Sequence, residues 1–112
     1  MNQLVHQFKA DFFKTLSHPA RLAILDLLRD GEKSVTELTA MLEADQSTIS
    51  QQLARLRRGN LVDARKEGTS VYYSVRDPMI FKLMDVAREI FSRQLVSHQE
   101  LLQELSGEGE SP

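Results

Sequence analysis

Along the chain, apolar residues first recur at helical spacing, then at a period of two, then at helical spacing again. Between residues 4 and 16, Leu4, Val5, Phe8, Phe12, Phe13 and Leu16 line a broad apolar face and predict a first helix. Ser17-His18-Pro19 breaks the pattern, with Pro19 suited to a first helical position and His18 to the cap before it. A second helix runs through Leu22, Ile24, Leu25, Leu27 and Leu28 and stops at Asp30-Gly31. After the polar turn Glu32-Lys33-Ser34 comes a third short helix over 35–43, with Val35, Leu38 and Leu42 inward. Ser34 is its expected cap, and Glu37 completes a capping box. The stretch 45–60 reads as a fourth helix, because Ile49, Leu53 and Leu56 fall at i, i+4 and i+7. Asp45 suits its N-cap, and Gly59-Asn60 tolerate the left-handed backbone that ends helices.

From Leu61 the period changes to two. Val62 and Ala64 alternate with Asp63 and Arg65, Glu67-Gly68-Thr69 turns the chain, and Val71, Tyr73 and Val75 alternate with Tyr72 and Ser74. That is a β-hairpin. Asp77-Pro78 then opens a last helix, which Ile80, Phe81, Leu83, Met84, Ala87, Ile90, Phe91, Leu95, Leu101, Leu102 and Leu105 continue to about Leu105. Such a helix is about 42 Å long, more than one small domain can cover. Three of the five phenylalanines also sit on the first helix. A plain core helix is one reading of that face. The surplus on both helices favours a dimer in which they pair across a two-fold axis, through Leu4, Val5, Phe8, Phe12, Ile90, Phe91, Leu95 and Leu102. The expected architecture is mostly α with a β-hairpin wing, a dimeric winged helix-turn-helix of order α-α-α-α-β-β-α over residues 1–105. The tail 106–112 is expected to be disordered.

Two short helices joined by a tight connection, followed by a hairpin, direct attention to the fourth helix. Its outward face carries Ser47, Gln51, Ala54, Arg55 and Arg58, with Thr48 and Ser50 beside it and no acid from Gln46 to Arg58. A merely solvated face would carry Glu and Lys pairs. Small hydroxyls and amides approach base edges, and guanidiniums suit phosphates. The candidate DNA contacts are Ser34, Gln46, Ser47, Thr48, Ser50, Gln51, Arg55, Arg58, and on the wing Arg65, Lys66 and Thr69. Net charge is −2, but residues 46–76 hold six basic and two acidic residues, +4, so the remainder carries −6. A basic patch on an acidic body fits site-specific DNA binding.

The absence of cysteine removes disulfides, thiolate metal sites and thiol-based redox sensing. No run approaches a membrane span and no signal-peptide pattern opens the chain, so a cytoplasmic location is expected, with no membrane partner. There is no nucleophile–base pair or phosphate loop to suggest an enzyme. A winged-helix module that binds only proteins would favour apolar anchors over this arginine-ended face. His18 reads as structural, at a helix start.

Five stretches in order carry a resemblance: Leu16-Ser17-His18-Pro19-Ala20-Arg21-Leu22-Ala23-Ile24-Leu25, Val35-Thr36-Glu37-Leu38, Ser47-Thr48-Ile49-Ser50-Gln51-Gln52-Leu53, Leu61-Val62, and Val71-Tyr72-Tyr73-Ser74-Val75. Over about residues 8–103 the chain resembles the ArsR/SmtB family of winged-helix bacterial transcriptional repressors. The resemblance implies a homodimeric repressor that binds an inverted-repeat operator through helix 45–58 and wing 62–75 and answers an unidentified small-molecule or protein signal. The family's metal-sensing positions match Ser34 and Thr36 in place of its thiolate pair, and Asp77, Met79, Ile90 and Arg93 in place of its last-helix ligands. Only Asp77 could ligate, and it is already a helix cap, so no metal site and no cofactor are expected. The alternative is a metal-responsive repressor with an atypical His/carboxylate site that uses His6 or His98 between subunits.

Overall fold

Four of the helices open on a side chain that accepts from the backbone, and these caps set the chain's punctuation. In a computed structural model, which describes residues 2–107, Asn2 Oδ1 accepts from the Leu4 amide at 3.0 Å and starts α1, Gln3–Leu16. His18 Nδ1 accepts from the Ala20 amide at 3.1 Å, ahead of Pro19 in the first turn of α2, Pro19–Leu27. A single 3-10 turn, Leu28–Asp30, extends α2 before Gly31 turns the chain at φ 129°. The capping box forms as expected: Ser34 Oγ accepts from the Glu37 amide, and Glu37 Oε1 from the Ser34 amide, at the head of α3, Val35–Leu42. Asp45 Oδ1 accepts from the Thr48 amide at 2.6 Å and begins α4, Gln46–Arg58.

The helix ends depart from the expected detail. Glu43, expected inside the third helix, is its C-cap and takes the left-handed conformation at φ 52°. At the end of α4 Asn60 is left-handed, φ 62°, whereas Gly59 keeps an ordinary φ of −80°. Gly59 answers a different need. A Cβ there would lie 2.7 Å from Thr15 Cγ2, so glycine lets the end of α4 close on α1.

The hairpin is present, β2 Val62–Glu67 against β3 Ser70–Val75, in register from Val62↔Val75 to Glu67↔Ser70. Glu67, expected in the turn, is the last paired residue of β2. The connection is therefore the two residues Gly68-Thr69, with Gly68 at φ 62° as such turns require. The polar turn before α3 is also more than a turn. Lys33–Ser34 form a short strand, β1, paired antiparallel with Tyr73 and Tyr72, so the sheet has three strands in the order β1-β3-β2. Two residues are too few to show a period of two. Central placement leaves every residue of β3 half-buried, and the expected alternation along it is lost.

Ile49, Leu53 and Leu56, the inward stripe of α4, are buried with Leu16, Ile24, Leu25, Leu28, Leu38, Leu61 and Val62. Each fully buried aliphatic side chain contributes about 1.5–3 kcal/mol, which seats α4 firmly from beneath. The chain divides into two compact units, one ending at Pro78 and the other beginning at Met79. The second holds α5, Met79–Ser106, which starts one residue later than expected. Ile80, Met84, Phe91, Leu95, Leu102 and Leu105 share one stripe of that helix at 3.6 residues per turn. Ile80 is buried and Met84 half-buried, while Phe91, Leu95, Leu102 and Leu105 are exposed. Ser106 ends α5 and Gly107 follows; the rest of the expected tail, 108–112, lies outside the described residues.

Candidate nucleic-acid interface

With its apolar stripe held by the core, α4 turns Gln46, Ser47, Ser50, Gln51, Ala54, Arg55 and Arg58 outward, and all are exposed. Arg57 is exposed as well, so three guanidiniums crowd the last turn, where the negative end of the helix dipole favours cations. The first two turns offer hydroxyls and amides short enough for base edges. Thr48 is the exception there. It is half-buried, and its Oγ1 donates to Asp45 Oδ2 at 3.0 Å, so it serves the cap. The amide and hydroxyl of Thr48 hold the Asp45 carboxyl below its ordinary range, the backbone hydrogen bond being the larger cause.

Ser34, also among the candidate contacts, is engaged in the fold. It is 8% exposed, and its Oγ is occupied by the capping box.

On the wing, Lys66 and Thr69 are exposed, Thr69 at the tip. Arg65, expected with Lys66 to touch a phosphate backbone, is engaged within the protein. Its Nη2 donates to Glu32 Oε1 at 2.6 Å and its Nη1 to Glu67 Oε2 at 2.9 Å, while the guanidinium lies over the Tyr72 ring, 4.9 Å from the centroid. The hydrogen bond to Glu32, then that to Glu67, raises the Arg65 pKa, and in return Arg65 holds the Glu32 carboxyl below its ordinary range. Arg65 thus straps the hairpin across β3 to the turn before β1. At the hairpin's base, Arg76 donates to Asp63 Oδ1 at 2.7 and 2.9 Å and to Asn60 Oδ1 at 3.1 Å, which fixes the exit of α4 to the start of the wing.

The pattern of apolar residues concealed one group. Arg21, Ile24, Leu25 and Leu28 fall at i, i+3, i+4 and i+7, so the arginine lies on the buried face of α2. It is 8% exposed; Nε donates to the Thr15 carbonyl at 2.6 Å, Nη1 to Gln52 Oε1 at 2.8 Å and Nη2 to the Lys14 carbonyl at 3.5 Å. Burial, and secondarily the Arg55 charge, lowers its pKa, but a guanidinium stays protonated. An arginine on an inward stripe was the available signal.

The expected interface residues lie on two elements. On α1, Leu16 is buried and Phe12 half-buried, while Val5 is exposed and Phe8 and Leu4 are 77% and 75% exposed. On α5, Ile90, Phe91, Leu95 and Leu102 are exposed. His6 Nδ1 lies 3.0 Å from the Asn2 carbonyl, and His98 is exposed on α5. Among the described residues, no three His, Cys, Asp or Glu side chains gather to hold a metal ion. Nor is any described helix long and apolar enough to cross a membrane.

Residues 18–64 match the family described as bacterial regulatory protein, arsR family. The chain is 42% identical over 106 residues to an uncharacterized HTH-type transcriptional regulator of Mycobacterium tuberculosis, covering 94% of this chain and 93% of that one. A crystal structure of M. tuberculosis Rv0081 superposes with a TM-score of 0.77 at 43% identity, over 84% of this chain and 95% of the other. A biofilm growth-associated repressor of Agrobacterium fabrum is 42% identical over 82 residues, 73% of this chain and 70% of that protein. A solution structure of a homodimeric winged helix-turn-helix DNA-binding domain from Mycobacterium bovis superposes with a TM-score of 0.73 at 31% identity, over 83% of this chain and 86% of that one.

Proposed function

The chain belongs to the ArsR family of bacterial regulatory proteins, and from that premise we propose that it is a homodimeric transcriptional repressor reading an inverted-repeat operator with α4 and the wing. One observation carries the reading. The exposed face of α4 offers Ser47, Ser50 and Gln51 for base edges and Arg55 and Arg58 for phosphates, on a helix whose opposite stripe is buried. In a two-fold dimer two such helices enter successive major grooves about one helical turn apart. The dimer forms through α1 and α5, whose exposed Leu4, Phe8, Phe91, Leu95 and Leu102 supply apolar surface that water otherwise covers. The protein works in the cytoplasm on double-stranded DNA and needs neither cofactor nor metal for binding. An unidentified small molecule or protein modulates it.

Gln51 and Lys66 have different parts. Gln51 pairs with adenine in a bidentate way, and its loss costs about 1–3 kcal/mol at one position per half-site. Lys66 meets a phosphate, so Lys66→Ala weakens operator and scrambled DNA alike and lowers the salt slope by about one unit for each phosphate left unneutralised. Gln46, Thr69 and the engaged Arg65 flank these contacts and do less. A salt series on both duplexes with Gln51→Ala and Lys66→Ala tests the assignment. Equal losses by both variants on both duplexes overturn the division of roles, and no loss by either overturns α4 as the reader.

A further inference from the structure

The arginine on the inward stripe of α2 ties that helix to two others. Its three donors reach two carbonyls in the last turn of α1 and the side-chain amide of Gln52 on α4. The same turn of α1 meets α4 a second time, where Thr15 closes on Gly59. Gln52 and Gly59 are seven residues apart, about 10.5 Å along the helix. A rod held at two points cannot pivot at either, and a side chain gripped beside the outward face cannot rotate about the rod's axis. Gln52 sits one position after Gln51, between the buried stripe and the exposed face.

We propose that Arg21 is a positioning residue for sequence recognition: through Gln52 it fixes the rotation of α4, so that Ser47, Ser50 and Gln51 meet the base edges in one register. The inference rests on α4 being the reader and adds what aims it. Phosphate contacts tolerate a small rotation, because a guanidinium on a long stem follows its target. Bidentate base contacts do not, because both hydrogen bonds need one plane. Loosening the grip therefore lowers discrimination between sequences more than affinity for DNA in general. It also links α1, whose N-terminal apolar residues are exposed, to the orientation of the reader.

The experiment uses the full chain and two duplexes of equal length, one selected by the wild-type protein from a random pool and one scrambled, at one salt concentration. The quantity read is the ratio of the two affinities. Gln52→Leu, which removes the acceptor from a half-buried site, is expected to lower that ratio by about tenfold while binding to scrambled DNA is kept. Gln52→Glu restores an acceptor for the guanidinium and is expected to hold the ratio within about twofold of wild type, whatever its added charge does to both affinities together. Arg21→Met should match Gln52→Leu, and the double variant should add little further loss, since both remove one interaction. Should Arg21→Met fail to fold, the two Gln52 variants decide the matter. A wild-type ratio in Gln52→Leu overturns the proposal while leaving α4 as reader. So does a collapsed ratio in Gln52→Glu, which would make the Gln52 amide itself a base contact. A wild-type protein that selects no sequence overturns the reading of α4, and this proposal with it.

Discussion

Two single positions are held by opposite backbone arguments. Gly59 has an ordinary φ, and only the nearness of Thr15 requires glycine there. Gly59→Ala forces α4 and α1 apart and should cost about 1–3 kcal/mol, most of it recovered when Thr15→Ala removes the obstructing Cγ2 and Oγ1. Paired chemical denaturation of the two single variants and the double variant measures this. Glu43 is exposed and takes a left-handed φ that costs a residue with a Cβ about 1 kcal/mol. Glu43→Gly should therefore stabilise the protein by up to about that amount, and a lower urea midpoint would refute it. Ser34→Ala removes half a capping box from a buried position and should cost about 1 kcal/mol without altering the salt dependence of DNA binding. That second clause separates a cap from a phosphate contact.

The two helices of the helix-turn-helix share a dependence on acid. Glu37 and Asp45 are held below their ordinary ranges, each chiefly by a backbone amide, at the heads of α3 and α4. A depressed carboxyl stabilises the fold fully above its unfolded value of about 4, and that contribution is lost as pH falls through the lower folded value. Thermal midpoints should thus drop between pH 5 and pH 3 more in the wild type than in Asp45→Asn with Glu37→Gln; parallel curves would count against the caps. The five α-helices of the described residues and the hairpin are legible in the sequence because each has its own period or its own cap. The strand at Lys33–Ser34 is not, since pairing with β3 is a tertiary event that two residues cannot announce. The engagement of Arg65 is hidden for a related reason. Its partner Glu32 lies far away in sequence, and the strap exists only once β3 brings the two together. Ser34 suits two roles by its sequence position, and the cap, a local signal, is the one that the structure shows.

At the scale of the whole molecule, the exposed residues of α1 and α5 give a direct expectation. Phe91→Glu or Leu95→Glu should yield monomers that bind a half-site weakly, since each would place a charge in the proposed dimer contact. Sedimentation of the wild type as a stable monomer at micromolar concentration would refute the dimer. Zinc, cadmium, nickel or arsenite at stoichiometric levels should leave operator affinity unchanged, given a chain without cysteine and Met79, Ile90 and Arg93 at three of the four last-helix positions that the family resemblance marks as ligands. A calorimetric zinc site of sub-micromolar affinity that weakens operator binding would overturn that.

The two-residue tip of the wing, in a chain without cysteine, makes a chemical footprint simple to read. Thr69→Cys places a single thiol per chain at the outermost turn, where an alkylating reagent reaches it freely. Its labelling rate then becomes a clock for wing occupancy. Slowing on operator but not on scrambled duplex marks a wing that docks only when the helix has found its sequence; equal slowing on both marks one that rides the backbone throughout the search.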